Sequence, residues 1–163
     1  MTPLYIFDLD GTLALTEHRQ HLLDNKEDPG RWRKFFAACV DDQPNVPVIR
    51  TLQSLRKAGA ECWIWSGRSD EVKTQTVEWL CKHGCFGKPN GFLPAWPFGA
   101  PERFRMRAAG DYTPDEDLKR QWLHDLEPPE FARLTAVFDD RDKVVAMWRA
   151  AGVPCFQVAR GAF

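Results

Sequence analysis

Apolar and polar positions along this chain fall into blocks whose period switches repeatedly between that of a strand and that of a helix. Leu4-Tyr5-Ile6-Phe7 is a short continuous apolar run, the mark of a strand buried on both faces. From Val46 to Lys57 the period becomes helical. Val48, Ile49, Leu52 and Leu55 share one face, Pro47 lies near the start and Gly59 follows the end. Glu61 to Trp65 reads as a second strand running into Ser66-Gly67-Arg68. A helix then spans Glu71 to His83, with Val72, Thr76, Trp79 and Leu80 inward and Gly84 closing it. Phe104 to Arg107 predicts a short third strand. Thr113-Pro114-Asp115-Glu116 has the residue types of a helix start: Thr113 as cap, Pro114 in the first position and Glu116 completing a capping box. That helix turns Leu118, Trp122, Leu123 and Leu126 inward, and Pro128-Pro129 ends it. Leu134 to Phe138 is a fourth strand. A helix carrying Val144, Val145, Met147, Trp148 and Ala151 follows, Gly152 stops it, and Val153 to Val158 closes the pattern. Alternation of this kind predicts an α/β fold, a parallel sheet flanked by helices.

Two segments stand outside the alternation. Residues 16–45 carry a Trp32/Phe35/Phe36/Cys39 stripe that predicts a small helical insert, and residues 86–112 are rich in Pro, Gly, Phe and Arg. Long loops in an α/β domain sit over the carboxyl ends of the strands, where substrates bind. The first segment is therefore read as a cap, the second as a substrate loop, and residues 1–163 as a single domain.

Composition narrows the class without choosing the chemistry. The chain has 163 residues, 44% hydrophobic and 28% charged, and a formal net charge of −1, so any polyanion site must be a local basic patch. No run of eighteen apolar residues exists and the start leads straight into the first strand, which argues against a membrane span or a signal peptide and for the cytoplasm. Five scattered cysteines read as reduced thiols. Cys81-Lys82-His83-Gly84-Cys85 has the look of a metal clip, but it falls at a helix end with no second ligand pair downstream, so helix-end packing is the expectation.

The chemistry is concentrated at strand tips. Asp8-Leu9-Asp10-Gly11-Thr12 follows the first strand directly. Two carboxylates converge there, a glycine permits a sharp turn, and a threonine offers a hydroxyl and an amide where a phosphate would sit. Such a pair suits a divalent cation and nucleophilic and acid/base work on phosphate. Ser66-Gly67-Arg68, Lys119 and Asp139-Asp140 fall at or near the same sheet edge. Each has a plain structural reading. Asp115 and Lys119 are spaced as a surface ion pair on one helix, and Asp139-Asp140-Arg141-Asp142 suits a solvated turn. Their joint order favours an enzyme.

In that order the residues resemble the four signature motifs of haloacid dehalogenase-type phosphatases, whose fold is a Rossmann-like parallel sheet. The resemblance implies that Asp8 is a nucleophile forming an aspartyl-phosphate, and that Asp10 protonates the leaving oxygen and then activates water. It implies Mg²⁺ held by Asp8, the Asp10 carbonyl, and Asp139 or Asp140. Thr12, Ser66 and Lys119 would serve the phosphate oxygens. The run Asp139-Asp140-Arg141, Val144-Val145, Met147-Trp148-Arg149, Gly152-Val153, Cys155, Gln157-Val158-Ala159 and Gly161 to Phe163 resembles more closely the 3′-phosphatase domain of bacteriophage polynucleotide kinase–phosphatase. Arg19 and Arg68 match that family's phosphate-contacting arginines, and Asp115 with Lys119 its acidic/basic pair. The implied activity is removal of a terminal phosphate from a nucleic acid or nucleotide. No G-x-x-x-x-G-K-[ST] phosphate loop occurs, so this chain carries no kinase domain.

Local basic patches bear on the substrate. Arg31/Arg33/Lys34 lie in the cap, and alternation places Arg103, Arg105 and Arg107 on one strand face, where they can follow a phosphodiester backbone or balance nearby acids. Of seven tryptophans, Trp32 and Trp96 sit where a base can reach them, although packing accounts for them as well. Three readings remain open: a polynucleotide 3′-phosphatase, a phosphatase of free nucleotides or another small phosphorylated metabolite, and a non-catalytic module for phosphorylated ends.

Overall fold

A computed structural model describes residues 1–86 and 103–161. A five-stranded, all-parallel sheet contains β1 (Leu4–Phe7), β4 (Glu61–Ser69), β5 (Phe104–Arg107), β6 (Leu134–Arg141) and β7 (Cys155–Gly161), in the spatial order β5-β4-β1-β6-β7. A two-residue antiparallel ladder, β2 (Ala14–Leu15) with β3 (Gln43–Pro44), stands apart at the root of the insert. The helices are α1 (Glu17–Gln20), α2 (Arg31–Ala37), α3 (Val46–Lys57), α4 (Lys73–Lys82), α5 (Asp115–His124), α6 (Pro128–Arg133) and α7 (Asp142–Ala150).

Strand alternation splits the core into two layers. Phe7, Cys62 and Ile64 pack on one side with Ile49, Leu52 and Leu80, from α3 and α4. Leu4, Ile6, Trp63 and Trp65 pack on the other with Leu123, Val144 and Trp148, from α5 and α7. A central strand covered on both sides has no polar face, which is why β1 reads as an unbroken apolar run. Chain order reverses direction between β1 and β6. This is the switch point where the crevice beyond the strand ends opens to ligands.

Several boundaries differ from expectation for local reasons. β4 and β6 run on through Ser66-Gly67-Arg68 and Asp139-Asp140-Arg141, carrying the polar motifs as strand residues rather than as turns. Pro114, not Thr113, is the N-cap of α5, and no side chain caps it; the Thr113 backbone amide instead donates to Asp111 Oδ1 at 2.8 Å. α5 stops at His124, ahead of Pro128-Pro129, which open α6 instead of ending α5. Prolines fit the first turn, and Glu127 with Glu130 forms the capping box there.

The segment 16–45 folds as predicted into short helical pieces, α1, α2 and two single turns, rooted by β2 and β3. Residues 87–102, the greater part of the expected substrate loop and including Trp96, lie outside the described residues, as do 162–163.

Candidate active site

Asp8 is the residue immediately after β1, at the centre of the switch point. Its amide donates to Phe138 O of β6 at 2.9 Å. A side chain from each neighbouring strand tip can therefore meet it. Carboxylate oxygens of Asp8, Asp139 and Asp140 lie within 4.8 Å of one another, and all three residues are buried. Lys119, on α5, reaches across and donates to Asp8 Oδ1 at 2.6 Å and to Asp139 Oδ2 at 2.8 Å. Asp140 accepts from Thr12 Oγ1 at 3.3 Å.

Counted as ionised, three carboxylates against one ammonium leave two negative charges uncompensated in a buried site. Burial pushes the Asp8 carboxyl well up; Lys119 opposes this, and Asp139 and Asp140 add to it. Burial, and then Asp139, push Asp140 up to about 6. Burial disfavours the Lys119 ammonium, but Asp139, Asp8 and Asp115 outweigh it and hold the group protonated. The donor set of hard oxygens with two surplus charges fits Mg²⁺, a dication that takes carboxylate oxygens.

Asp10 behaves differently. Its carboxylate is turned from the cluster toward Arg68 and Arg19, with Arg68 Nε at 3.2 Å and Arg19 Nη2 at 2.8 Å from Oδ1. That leaves its carbonyl as the atom it can offer a metal. Burial raises the Asp10 carboxyl, but Arg68 and then Arg19 outweigh it and hold the group below the usual carboxylate range.

Asp42, which sequence reasoning did not single out, completes this second group. It accepts from Arg19 Nε at 2.7 Å and Arg19 Nη2 at 2.8 Å, and from Arg68 Nη2 at 2.7 Å. Arg19 also donates to Phe35 O at 3.1 Å, and Arg68 to Thr76 Oγ1 at 3.3 Å. Both arginines are enclosed, so they hold Asp10 and the cap together with donors already engaged. A signal for Asp42 did exist: two arginines in motif positions need more carboxylate than Asp10 supplies, and Asp41-Asp42 stands at the cap's return.

A third group lines the opposite wall. Asp115 pairs with both Arg107 and Arg141, one carboxylate between two guanidiniums. Arg107 Nε further donates to Gly67 O at 2.9 Å. Arg141 was named in the sequence only within the Asp139-Asp140 run, and this pairing is what adds it to the site. Gly67 must lack a side chain, since a Cβ there would come 2.5 Å from Asp115 Oδ1. Gly11 has a φ of +84°, and a Cβ there would fall 2.1 Å from the Asp140 carboxylate, so a side chain would be strained by its backbone and driven into Asp140. Ser66 is fully buried, and its Oγ accepts from the Arg68 amide at 3.1 Å.

The remaining basic candidates divide. Arg107 lines the cleft, whereas Arg105 pairs with Asp125 at 3.1 Å over the Trp65 ring and Arg103 pairs with Glu61 at 3.0 Å. Those two are paired with acids on the sheet's flank. In the cap, Arg31 donates to Lys26 O and Lys34 pairs with Asp28, both at 2.7 Å, while Arg33, largely exposed, lies 3.9 Å from Glu71. At the end of α4, Cys85 is buried and the His83 ring lies against Trp79.

All three groups open into one cavity of about 850 Å³, bounded by the cap, the segment after β5 and the strand tips. Among the described residues no helix is long and apolar enough to cross a membrane.

Solved structures of low identity share this fold. The class C acid phosphatase from Bacillus anthracis superposes with a TM-score of 0.63 at 14% identity, covering 99% of this chain and 67% of its own. A predicted HAD-like family hydrolase from Porphyromonas gingivalis does so with a TM-score of 0.54 at 16% identity, covering 100% of this chain and 93% of its own. Fold and site define a phosphatase of the haloacid dehalogenase type. More particularly, residues 2–163 match the polynucleotide kinase PNKP phosphatase domain, and the chain belongs to that family. A chain of the Pnkp1/Rnl/Hen1 RNA repair complex superposes with a TM-score of 0.73 at 28% identity, covering 99% of this chain and 44% of its own. This chain thus spans less than half the length of that relative.

Proposed function

We propose that this phosphatase removes the 3′-terminal phosphate from nucleic-acid ends, with Mg²⁺ as cofactor and Asp8 as nucleophile. The observation that carries the reading is Asp8 itself, a buried carboxylate within 4.8 Å of two others and gripped by Lys119, at the floor of a cavity large enough for a nucleotide. The family match and the likeness to a chain of an RNA repair complex support a nucleic-acid substrate.

Asp8, Asp139, Asp140 and the Asp10 carbonyl would hold the metal, which supplies neutralising charge between the attacking carboxylate and the phosphate dianion. Asp8 Oδ attacks phosphorus, the bond to the leaving 3′ oxygen breaks, and the phosphoryl group is transferred to Asp8. Asp10, steadied by Arg19 and Arg68, delivers a proton to that oxygen. The incoming phosphate opposes the arginines' pull and raises Asp10 toward the protonated form. Asp10 then takes a proton from the water that hydrolyses the acyl phosphate. Thr12, Ser66, Gly67 and Lys119 serve the phosphate oxygens, with Arg107 and Arg141, held by Asp115, presenting guanidinium groups along the wall.

Residues 1–163 act as a single catalytic domain, with 16–45 as cap and 86–112 as substrate loop, working in the cytoplasm. The test is phosphate release with Mg²⁺ or chelator from 3′-phosphoryl oligonucleotides, 5′-phosphoryl oligonucleotides, mononucleotides and sugar phosphates. Preference for the first is expected. Equal rates across the panel would remove the nucleic-acid assignment, and a preference for mononucleotides would favour the free-nucleotide reading.

A further inference from the structure

The cavity's cap wall contains an exposed aromatic side chain the phosphate chemistry does not use. Trp32, on α2, is 40% exposed and lines the same cavity as Asp8 and Asp10. The indole does not hang free. Its ring stacks on Phe36 at 5.8 Å with planes 29° apart, and meets the Phe35 ring edge to face at 5.9 Å and 85°. Two phenyl rings thus fix its orientation, so a flat π surface is offered to the cleft with little rotamer freedom left to lose.

Phe35 ties this surface to the reacting groups. The Arg19 guanidinium carbon lies 4.1 Å from the Phe35 ring centroid, and the same arginine donates to Asp10 Oδ1 at 2.8 Å. Trp32, Phe35, Arg19 and Asp10 form one packed unit, so a group seated on the indole is registered against the residue that protonates the leaving oxygen. Of the other exposed aromatic side chains, Phe131 and Phe156 lie away from this cavity; Tyr112 lines it but is 86% exposed and, among the described residues, lacks the ring contacts that fix the Trp32 indole. Arg33, next to Trp32, also lines it; its side chain is 83% exposed and only loosely paired with Glu71 at 3.9 Å, so it can turn a cation to a backbone phosphate.

We propose that Trp32 is a base-stacking platform: the nucleobase adjoining the scissile 3′-phosphate lies on the indole, and the site selects ends whose terminal base is present. This rests on the reading of the site as a nucleic-acid 3′-phosphatase and adds how the substrate is recognised. Stacking tolerates any base because every base has a π face, so selection is for a base and not for a sequence.

The test compares a 3′-phosphorylated oligonucleotide with the same strand ending in an abasic 3′-phosphorylated residue, measuring the ratio of kcat/KM for the two. Trp32→Leu keeps apolar packing on Phe35 and Phe36 but removes the stacking face, and is expected to lower the ratio about tenfold. Trp32→Phe, retaining a smaller ring, should lower it less. Release from both strands with an unchanged ratio in Trp32→Leu overturns the platform alone. No release from either strand by the unaltered protein, with sugar phosphates consumed, overturns the substrate reading and the platform with it. A binding measurement covers the case of a poorly folded leucine variant. In the Asp8→Asn background, the base-bearing strand should quench tryptophan emission more than the abasic strand, and Trp32→Phe should remove that difference. Its persistence would overturn the proposal.

Discussion

The floor of the site and the clamp beside it are built from the same residue types and differ in charge balance. On the floor, Asp8, Asp139 and Asp140 outnumber Lys119, which pairs with two of them, while Arg141 nearby is paired with Asp115. In the clamp, Asp10 and Asp42 face Arg19 and Arg68, charge for charge, through buried hydrogen bonds of 2.7–2.8 Å among others. Buried charges that are matched and fully hydrogen-bonded hold a structure in place. Buried charges left in surplus are costly, and persist where a ligand of opposite charge completes them. The contrast separates the part that needs a dication from the part that positions an acid.

Breaking the floor should have the largest effect. Asp8→Asn is expected to reduce phosphate release at least about 10⁴-fold, since removing a nucleophile leaves only binding and electrostatic assistance. Retained turnover would mean the attacking group lies elsewhere. Lys119→Met leaves Asp8 and Asp139 buried without their cation and should cost about 3–5 kcal/mol in urea denaturation.

The surplus itself can be measured without turnover. Saturating Mg²⁺, near 100 times its Kd, should raise the melting temperature by about 5–10 °C. Asp140→Asn should shrink that rise, and equal shifts in both proteins would place the metal away from Asp140. The clamp predicts a milder outcome. Asp42→Asn unbalances Arg19 and Arg68 without touching substrate, so kcat/KM should fall about 10–100-fold, the scale of a lost supporting partner, while the Mg²⁺-dependent rise in melting temperature stays. Loss of that rise would show floor and clamp to be a single unit.

The smallest effect lies outside both. Burial pushes the thiols of Cys62, Cys85 and Cys155 up to about 11, 12 and 12, so at pH 8 they are almost wholly protonated. Cys81, less buried, should be alkylated first, as read by mass spectrometry of partially labelled protein. Earlier labelling of Cys85 would mean that the end of α4 opens readily.

Local order alone determined a good deal here. An apolar run ending in Asp8-Leu9-Asp10-Gly11-Thr12 announces a central strand and its reactive tip, because burial on both faces and a turn at the end impose those residue types within a few positions. Helix periods located α3, α4, α5 and α7 for the same reason, and four polar motifs in order pointed to one sheet edge. Pairing across the chain was beyond local reading. Asp42 meeting Arg19 and Arg68, Arg141 meeting Asp115, and Arg105 turning to Asp125 instead of the cleft each depend on where separate elements pack. Long side chains reach several partners from one backbone position, and only burial decides which of them is worth the loss of water.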